Sequence, residues 1–253
     1  MKYTAEQLLG FWFSSPNVVA AEIAHAQGFR NALLDIEHGS FDLSTLDRFI
    51  PYLKQAGFYV MAKVLTPDRG PIQQALDFGA NAVVIPHVDS AAHAELLASY
   101  AKFPDPTAPG LRDRSYAGGR PVDYQGPKPG FFTKANDETK VLPMIESAGA
   151  LAEIEGIFAL PTVDGVFVGP SDLALSRGRG SYRRDDADWK DLEKIANAAK
   201  KAGKPWYIPA WAPIEREVAM KLGVTAIIST MEYGALFAGV ESAKNMLLKE
   251  ISQ

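Results

Sequence analysis

The sequence predicts an α/β fold, a (β/α)8 TIM barrel, on three observations. A helix-like segment that ends at glycine and runs into a short apolar stretch recurs along the chain. Eight such stretches alternate with helices, and 253 residues is the usual size of this fold. The recurrent glycine is explained by the left-handed residue that commonly follows a helix.

Taken in order, residues 8–13 read as the first strand and 18–27 as the first helix. Gln27-Gly28-Phe29 then leads into a strand over 32–35, and Ala56-Gly57-Phe58 closes a helix over 43–56 ahead of a strand over 59–65. A helix over 71–77 ends at Phe78-Gly79-Ala80 before a strand over 82–86, with a helix over 91–102 behind it. Apolar runs bounded by turn residues give strands at 141–146 and 165–169, each followed by a helix, 148–158 and the short 170–176. A helix over 187–202, Ala202-Gly203-Lys204 and a strand over 206–209 come next. A helix over 213–222, Leu222-Gly223-Val224, a strand over 226–230 and a last helix over 233–251 complete the count. The expected organisation is one domain over 1–253. An open doubly wound sheet is the alternative, but no Gly-x-Gly-x-x-Gly follows the first strand, which disfavours dinucleotide binding.

Composition narrows the function classes. With 47% hydrophobic and 22% charged residues the chain has ample apolar area to fold. A formal charge of −4 argues against nucleic-acid or anionic-membrane partners. The absence of cysteine excludes disulfides, thiolate metal sites and a cysteine nucleophile. No apolar run approaches the roughly 18–20 residues that span a bilayer, and Leu8-Leu9-Gly10-Phe11-Trp12-Phe13 is too short for a signal peptide, so a cytoplasmic location is expected.

Two connections stand out. Residues 104–138 are rich in Gly, Pro and charge, and connections of that length are usually functional or mobile. Residues 177–186, RGRGSYRRDD, read either as a solvated turn or as an anion-binding lip.

In a barrel the chemistry sits at the C-terminal strand ends. The second strand ends Leu34-Asp35-Ile36-Glu37-His38-Gly39, and period-two alternation puts Asp35 and Glu37 on one face. Two carboxylates and an imidazole closing an apolar strand are costly to bury without partners; a solvated strand end is the plainer alternative. Lys63 is a lone cation in the third strand, suited to an ion pair with Asp35 or Glu37 or to a substrate role. The fifth strand ends Met144-Ile145-Glu146 and the sixth leads into Gly169-Pro170-Ser171-Asp172-Leu173. Adjacent strands thus each bring one carboxylate to the same rim, the usual way of holding Mg²⁺ or Mn²⁺ with part of its water retained. Alternatively, Asp172 caps a helix and Glu146 forms a salt bridge. Of the four histidines, His25 and His93 fall in helices, His87 ends the fourth strand and lines the cavity, and His38 is the strongest general-base candidate.

These motifs resemble the HpcH/HpaI aldolase family, the metal-dependent (class II) pyruvate aldolases of aromatic and sugar-acid catabolism. The matching pieces are Leu34-Asp35-Ile36-Glu37-His38, Leu76-Asp77-Phe78-Gly79-Ala80, Val84-Ile85-Pro86, Pro109-Gly110-Leu111-Arg112, Met144-Ile145-Glu146 and the run from Asp164 to Leu173, in family order over nearly the whole chain. The resemblance implies that Glu146 and Asp172 ligate the metal, that His38 is the base, and that Asp77 raises its basicity, from a neighbouring subunit if not from its own. It implies a hexamer of dimers that exchange their last helix, and a backbone contact at Ser171 to the substrate carboxylate. Lys63 stands where the family has an enolate-stabilising arginine and Met144 where it often has a substrate-contacting glutamine. The stretch Asp113-Arg114-Ser115-Tyr116 also departs from the pattern, and the usual helical leader before strand one is missing.

The expected activity is metal-dependent, reversible aldol cleavage of a 4-hydroxy-2-oxo acid to pyruvate and an aldehyde. His38 would move the C4 hydroxyl proton, directly or through water. Lys63 would stabilise the enolate, with Asp35 and Glu37 supporting it. The cofactor is a divalent cation, Mg²⁺ or Mn²⁺, with Co²⁺ or Zn²⁺ as alternatives. Rival readings are decarboxylation of oxaloacetate or a related 2-oxo diacid through the same enolate, a metal-free Schiff base on Lys63, and a 2-oxo-acid-binding protein with little catalysis.

Overall fold

Side chains that alternate between two apolar surroundings make eight short strands, and helices on the outside cover them. A computed structural model describes residues 3–252, so the outermost residues of the expected 1–253 domain lie outside it. The order begins α1 (Ala5–Leu8), β1 (Gly10–Phe13), α2 (Val18–Ala26), β2 (Asn31–Asp35), α3 (Leu43–Gln55), β3 (Tyr59–Lys63), α4 (Arg69–Asp77), β4 (Ala82–Ile85) and α5 (Ala91–Ser99). A 3-10 turn at Arg120–Val122 and α6 (Phe131–Glu138) precede β5 (Lys140–Ile145), α7 (Ala148–Ala152), α8 (Ile154–Ala159), β6 (Val166–Val168) and α9 (Pro170–Ser176). The chain ends with α10 (Asp186–Ala202), β7 (Trp206–Pro209), α11 (Pro213–Lys221), β8 (Ala226–Met231) and α12 (Glu232–Glu250). The eight strands form a closed parallel barrel in chain order, β8 returning to β1.

Two apolar layers hold it together. Trp12, Leu33, Met61, Val84, Leu142, Met144, Phe167 and Ile228 fill the barrel, while Phe13, Leu34, Ile50, Leu53, Ile72, Phe158, Ile195 and Trp206 pack between strands and helices. Each fully buried side chain of this kind contributes about 1.5–3 kcal/mol. All the strand C-termini therefore open on one rim.

Four expectations change. A one-turn helix does precede β1: Thr4 and Gln7 form a reciprocal capping box, so Leu8 belongs to α1 and the first strand starts at Gly10. The expected helix over 148–158 is broken at Glu153 into α7 and α8; the Glu153 carboxylate accepts the Ala91 N–H at 2.8 Å instead. The long connection 104–138 contains the 3-10 turn and α6, and runs from the end of α5 to the start of β5, at the barrel end opposite the rim. Phe103 packs on Phe131 and Phe132 to hold it there.

The arginine loop 177–186 is largely exposed, as a solvated turn would be, but three of its arginines are tied to carboxylates. Arg177 and Arg179 pair with Asp191, Arg179 also with Asp188, and Arg184 with Glu215. The Asp188 carboxylate accepts the backbone N–H groups of Arg183 and Arg184 at 2.9 and 2.8 Å.

No residue of α12 is buried, and Leu236, Phe237, Val240, Met246 and Leu247 all lie exposed. Its start is pinned by Glu232, which accepts from Ser14 N–H, Ser15 N–H and Ser15 hydroxyl at 3.0, 3.0 and 2.6 Å. Among the described residues no helix is long and apolar enough to cross a membrane.

Candidate active site

The rim carries its charges on neighbouring strands. Asp35 is the last residue of β2 and lies in register with Lys63, the last of β3. The Lys63 ammonium donates to Asp35 Oδ1 at 3.2 Å and sits 2.7 Å from Glu37 Oε2. Asp35 also accepts the Trp12 indole N–H at 3.2 Å. Both readings of a partnered lysine thus hold at once, with Asp35 and Glu37 sharing one cation. The tight turn that returns Glu37 to this position requires Gly39: a β-carbon there would stand 2.6 Å from Ser14 O and closer still to Asp35 O. Burial pushes the Glu37 carboxyl up, but the Lys63 hydrogen bond and charge, with His87 and His38, outweigh it and leave the pKa below the ordinary value.

His87 follows β4 in the left-handed conformation, φ 57°. Its backbone N–H donates to Glu146 Oε1 at 2.6 Å, and its ring Nε2 lies 2.5 Å from Glu37 Oε1. Glu146, one residue past β5, is buried and has no Lys or Arg partner among the described residues. Its carboxyl pKa is raised, chiefly by burial and further by the negative charge of Asp172, against the opposing His87 backbone hydrogen bond. Gly169 makes room for it, since a β-carbon at that position would stand 2.8 Å from Glu146 Oε2. Asp172 lies in the first turn of α9, and α9 has no side-chain cap. Among the described residues Asp172 makes neither an ion pair nor a hydrogen bond, so helix capping does not account for it.

These two carboxylates suit a divalent ion. Glu146 is buried, with Oε2 accepting no protein donor among the described residues, and exposed Asp172 is near enough for its charge to raise the Glu146 pKa. Among the described residues no group of three or more His, Cys, Asp or Glu side chains is drawn into a metal cage. A two-carboxylate site leaves the remaining positions to water and substrate, the usual arrangement for Mg²⁺.

Residues 8–220 match the family model described as HpcH/HpaI aldolase/citrate lyase. The chain belongs to the HpcH/HpaI aldolase/citrate lyase family. It is 30% identical over 238 residues to the 2-keto-3-deoxy-L-rhamnonate aldolase of Klebsiella pneumoniae, covering 90% of this chain and 85% of that one. It is 32% identical over 203 residues to the 4-hydroxy-2-oxovalerate aldolase of Novosphingobium aromaticivorans, covering 77% and 74%. A crystal structure of an HpcH/HpaI aldolase/citrate lyase family protein from Burkholderia cenocepacia superposes with a TM-score of 0.86 at 26% identity, covering 98% of this chain and 95% of that one.

Within this HpcH/HpaI barrel the expected site residues fall into two groups. His38, Lys63, Glu146, Ser171 and Asp172 gather at the strand C-termini, and Met144 lies buried directly below Glu146 in the barrel interior. His38 has an exposed ring whose Nε2 is 3.6 Å from Glu37 Oε2. Asp77 is a correction for a single chain: it ends α4 at the opposite end of the barrel and pairs with Arg114 at 2.8 Å. A helix antiparallel to the strands must deliver its last residue to the far end, so Asp77 does not reach His38 of its own chain. His87, read from its place directly after Ile85-Pro86 as a cavity-lining residue, stands at the rim in contact with Glu37 and Glu146.

Proposed function

We propose that the chain catalyses reversible aldol cleavage of a 4-hydroxy-2-oxo acid to pyruvate and an aldehyde, using a divalent cation held by Glu146 and Asp172. The observation that carries this reading is the pair itself: two neighbouring carboxylates at adjacent strand ends, one buried, neither matched by Lys or Arg among the described residues. The ion is Mg²⁺ or Mn²⁺, with Co²⁺ or Zn²⁺ as alternatives, and when bound it would polarise the C2 carbonyl. The matched names of relatives, sugar-acid and hydroxy-oxo-acid aldolases, support the substrate class.

The chain's own residues divide the work. Lys63 has three donor hydrogens; Asp35 and Glu37 occupy two, and the third is free for the oxygen that becomes negative as C3–C4 breaks. His38, exposed at the rim, takes the C4 hydroxyl proton. A Ser171 backbone N–H receives the substrate carboxylate, and Met144 floors the pocket. Asp77 would support His38 only across a subunit boundary. The uncovered apolar face of α12 supports that boundary: we assign it to a second copy of the chain, with helix exchange and a homohexamer as the assembly. A small 2-oxo acid and an aldehyde are the partners, and a cytoplasmic location goes with them.

The test is pyruvate release from a 4-hydroxy-2-oxo acid by protein stripped with EDTA. Activity lost on stripping and restored by Mg²⁺ or Mn²⁺ supports the reading. Turnover of oxaloacetate alone, without aldol cleavage, would move the assignment to a decarboxylase.

A further inference from the structure

Trp12 reaches the charged rim from β1 through a single polar atom. It stands among the side chains that fill the barrel, its ring 6.4 Å from Phe167 and edge-on to Trp211 at 5.9 Å. Packing of that kind asks only for an apolar ring, which phenylalanine would also supply. The indole N–H is aimed elsewhere. It donates to Asp35 Oδ2 at 3.2 Å, and Asp35 is buried. Among the described residues no other donor reaches that oxygen. Oδ1 of the same carboxylate accepts from the Lys63 ammonium and from the His38 backbone N–H, each at 3.2 Å.

The two oxygens of Asp35 therefore have separate tasks. Oδ1 holds the cation of the site and the turn that carries Glu37 and His38, while Oδ2 is tied back to β1. An aspartate carboxylate rotates over a broad, shallow well about its Cβ–Cγ bond, and contacts of 3.2 Å on one oxygen leave that rotation loose. A donor on the other oxygen braces it. Without the indole N–H, Oδ2 would be a buried acceptor with no donor, a costly state that the carboxylate relieves by turning this oxygen toward Lys63. Lys63 Nζ lies 2.7 Å from Glu37 Oε2 and 6.0 Å from the centre of the Trp12 ring, so such a turn draws the ammonium off Glu37 and redirects its remaining hydrogen.

We propose that Trp12 is a positioning residue for the aldol reaction: its indole N–H fixes the Asp35 carboxylate, and through it the direction in which Lys63 presents its free hydrogen to the developing enolate oxygen. The role belongs to the N–H and not to the ring. Orientation of a charged donor counts most where negative charge develops in the transition state, so its loss falls on kcat and leaves KM nearly unchanged. This inference rests on the aldol reading of the proposed function, with Lys63 as the donor to the enolate.

The experiment replaces Trp12 site-specifically with 3-benzothienylalanine, which keeps the bicyclic ring and puts sulfur where the N–H was, beside the simpler Trp12→Phe. Both changes are also made on Asp35→Ala, and kinetics are read with a 4-hydroxy-2-oxo acid. Expected is a fall in kcat of about tenfold to a hundredfold, the size of one lost hydrogen bond to a charged group, with KM within about twofold. On Asp35→Ala the same replacements should cost little more, because the acceptor is already gone. A second readout needs no turnover: the Trp12 indole N–H resonance of ¹⁵N-tryptophan-labelled protein should move in Asp35→Ala. A benzothienyl variant with wild-type kcat, full additivity with Asp35→Ala, or an unmoved indole resonance overturns the positioning role and leaves the aldol activity standing. Wild type that cleaves no 4-hydroxy-2-oxo acid overturns the proposed function and this inference with it.

Discussion

Lys63 Nζ stands 2.7 Å from Glu37 Oε2 and 3.2 Å from Asp35 Oδ1, with all three side chains almost wholly removed from water. One cation therefore serves one buried anion, Asp35, and one partly buried anion, Glu37. Lys63→Met would leave Asp35 and Glu37 facing each other unmatched and should destabilise the fold by about 3–5 kcal/mol in denaturant unfolding. Lys63→Arg should fold normally and retain activity, because the position supplies charge. Borohydride treatment with pyruvate should leave the wild-type mass unchanged; a trapped adduct on Lys63 would replace charge stabilisation with Schiff-base chemistry.

Gly169 is the second position where packing and chemistry meet. Its missing side chain leaves room for Glu146, against which a β-carbon would press at 2.8 Å. Gly169→Ala should cost about 1–3 kcal/mol of stability and displace the Glu146 carboxylate. Mn²⁺ affinity measured by calorimetry should fall more than the melting temperature alone would suggest. An alanine variant with unchanged affinity would mean that Oε2 is not the ligating oxygen.

His38 is exposed, so removing its ring should leave stability within about 0.5 kcal/mol and leave metal bound. Its loss should still slow both aldol cleavage and pyruvate C3 proton exchange by about 10²–10⁴-fold. Unchanged rates in His38→Ala would take it out of the reaction.

Glu37 has a pKa below the ordinary value in the folded protein, since Lys63, His87 and His38 outweigh the effect of burial. A lowered carboxyl pKa contributes stability above the unfolded value, about 4.3, that is lost as pH falls through the folded one. Unfolding free energies of wild type and Glu37→Gln should therefore converge as pH drops below about 4. A constant difference down to strongly acidic pH would show that Glu37 carries no such linkage.

The barrel and most of the rim were legible in the sequence for one reason. Period-two alternation names the inward residues, and parallel topology collects the strand ends, so Asp35, Lys63, Glu146 and Asp172 could be brought to one rim without coordinates. What depended on contacts between distant segments was not. The arginines of 177–186 looked free because their partners Asp191 and Glu215 lie on α10 and α11. The α1 turn was hidden because a single turn has no periodicity, and motif order alone could not say that Asp77 lies at the far end of its own barrel, paired with Arg114. His87 could be placed on the cavity wall, but its contacts with Glu37 and Glu146 depend on a backbone angle that no residue pattern announces.

The most direct measurement of the metal-dependent claim is exchange of the pyruvate methyl protons with D₂O, followed by proton NMR. Protein stripped with EDTA and dialysed should exchange no faster than buffer, and Mn²⁺ or Mg²⁺ should restore exchange in wild type but not in Glu146→Gln. Exchange that persists undiminished in the stripped protein, or that Glu146→Gln supports as well as wild type, would contradict it.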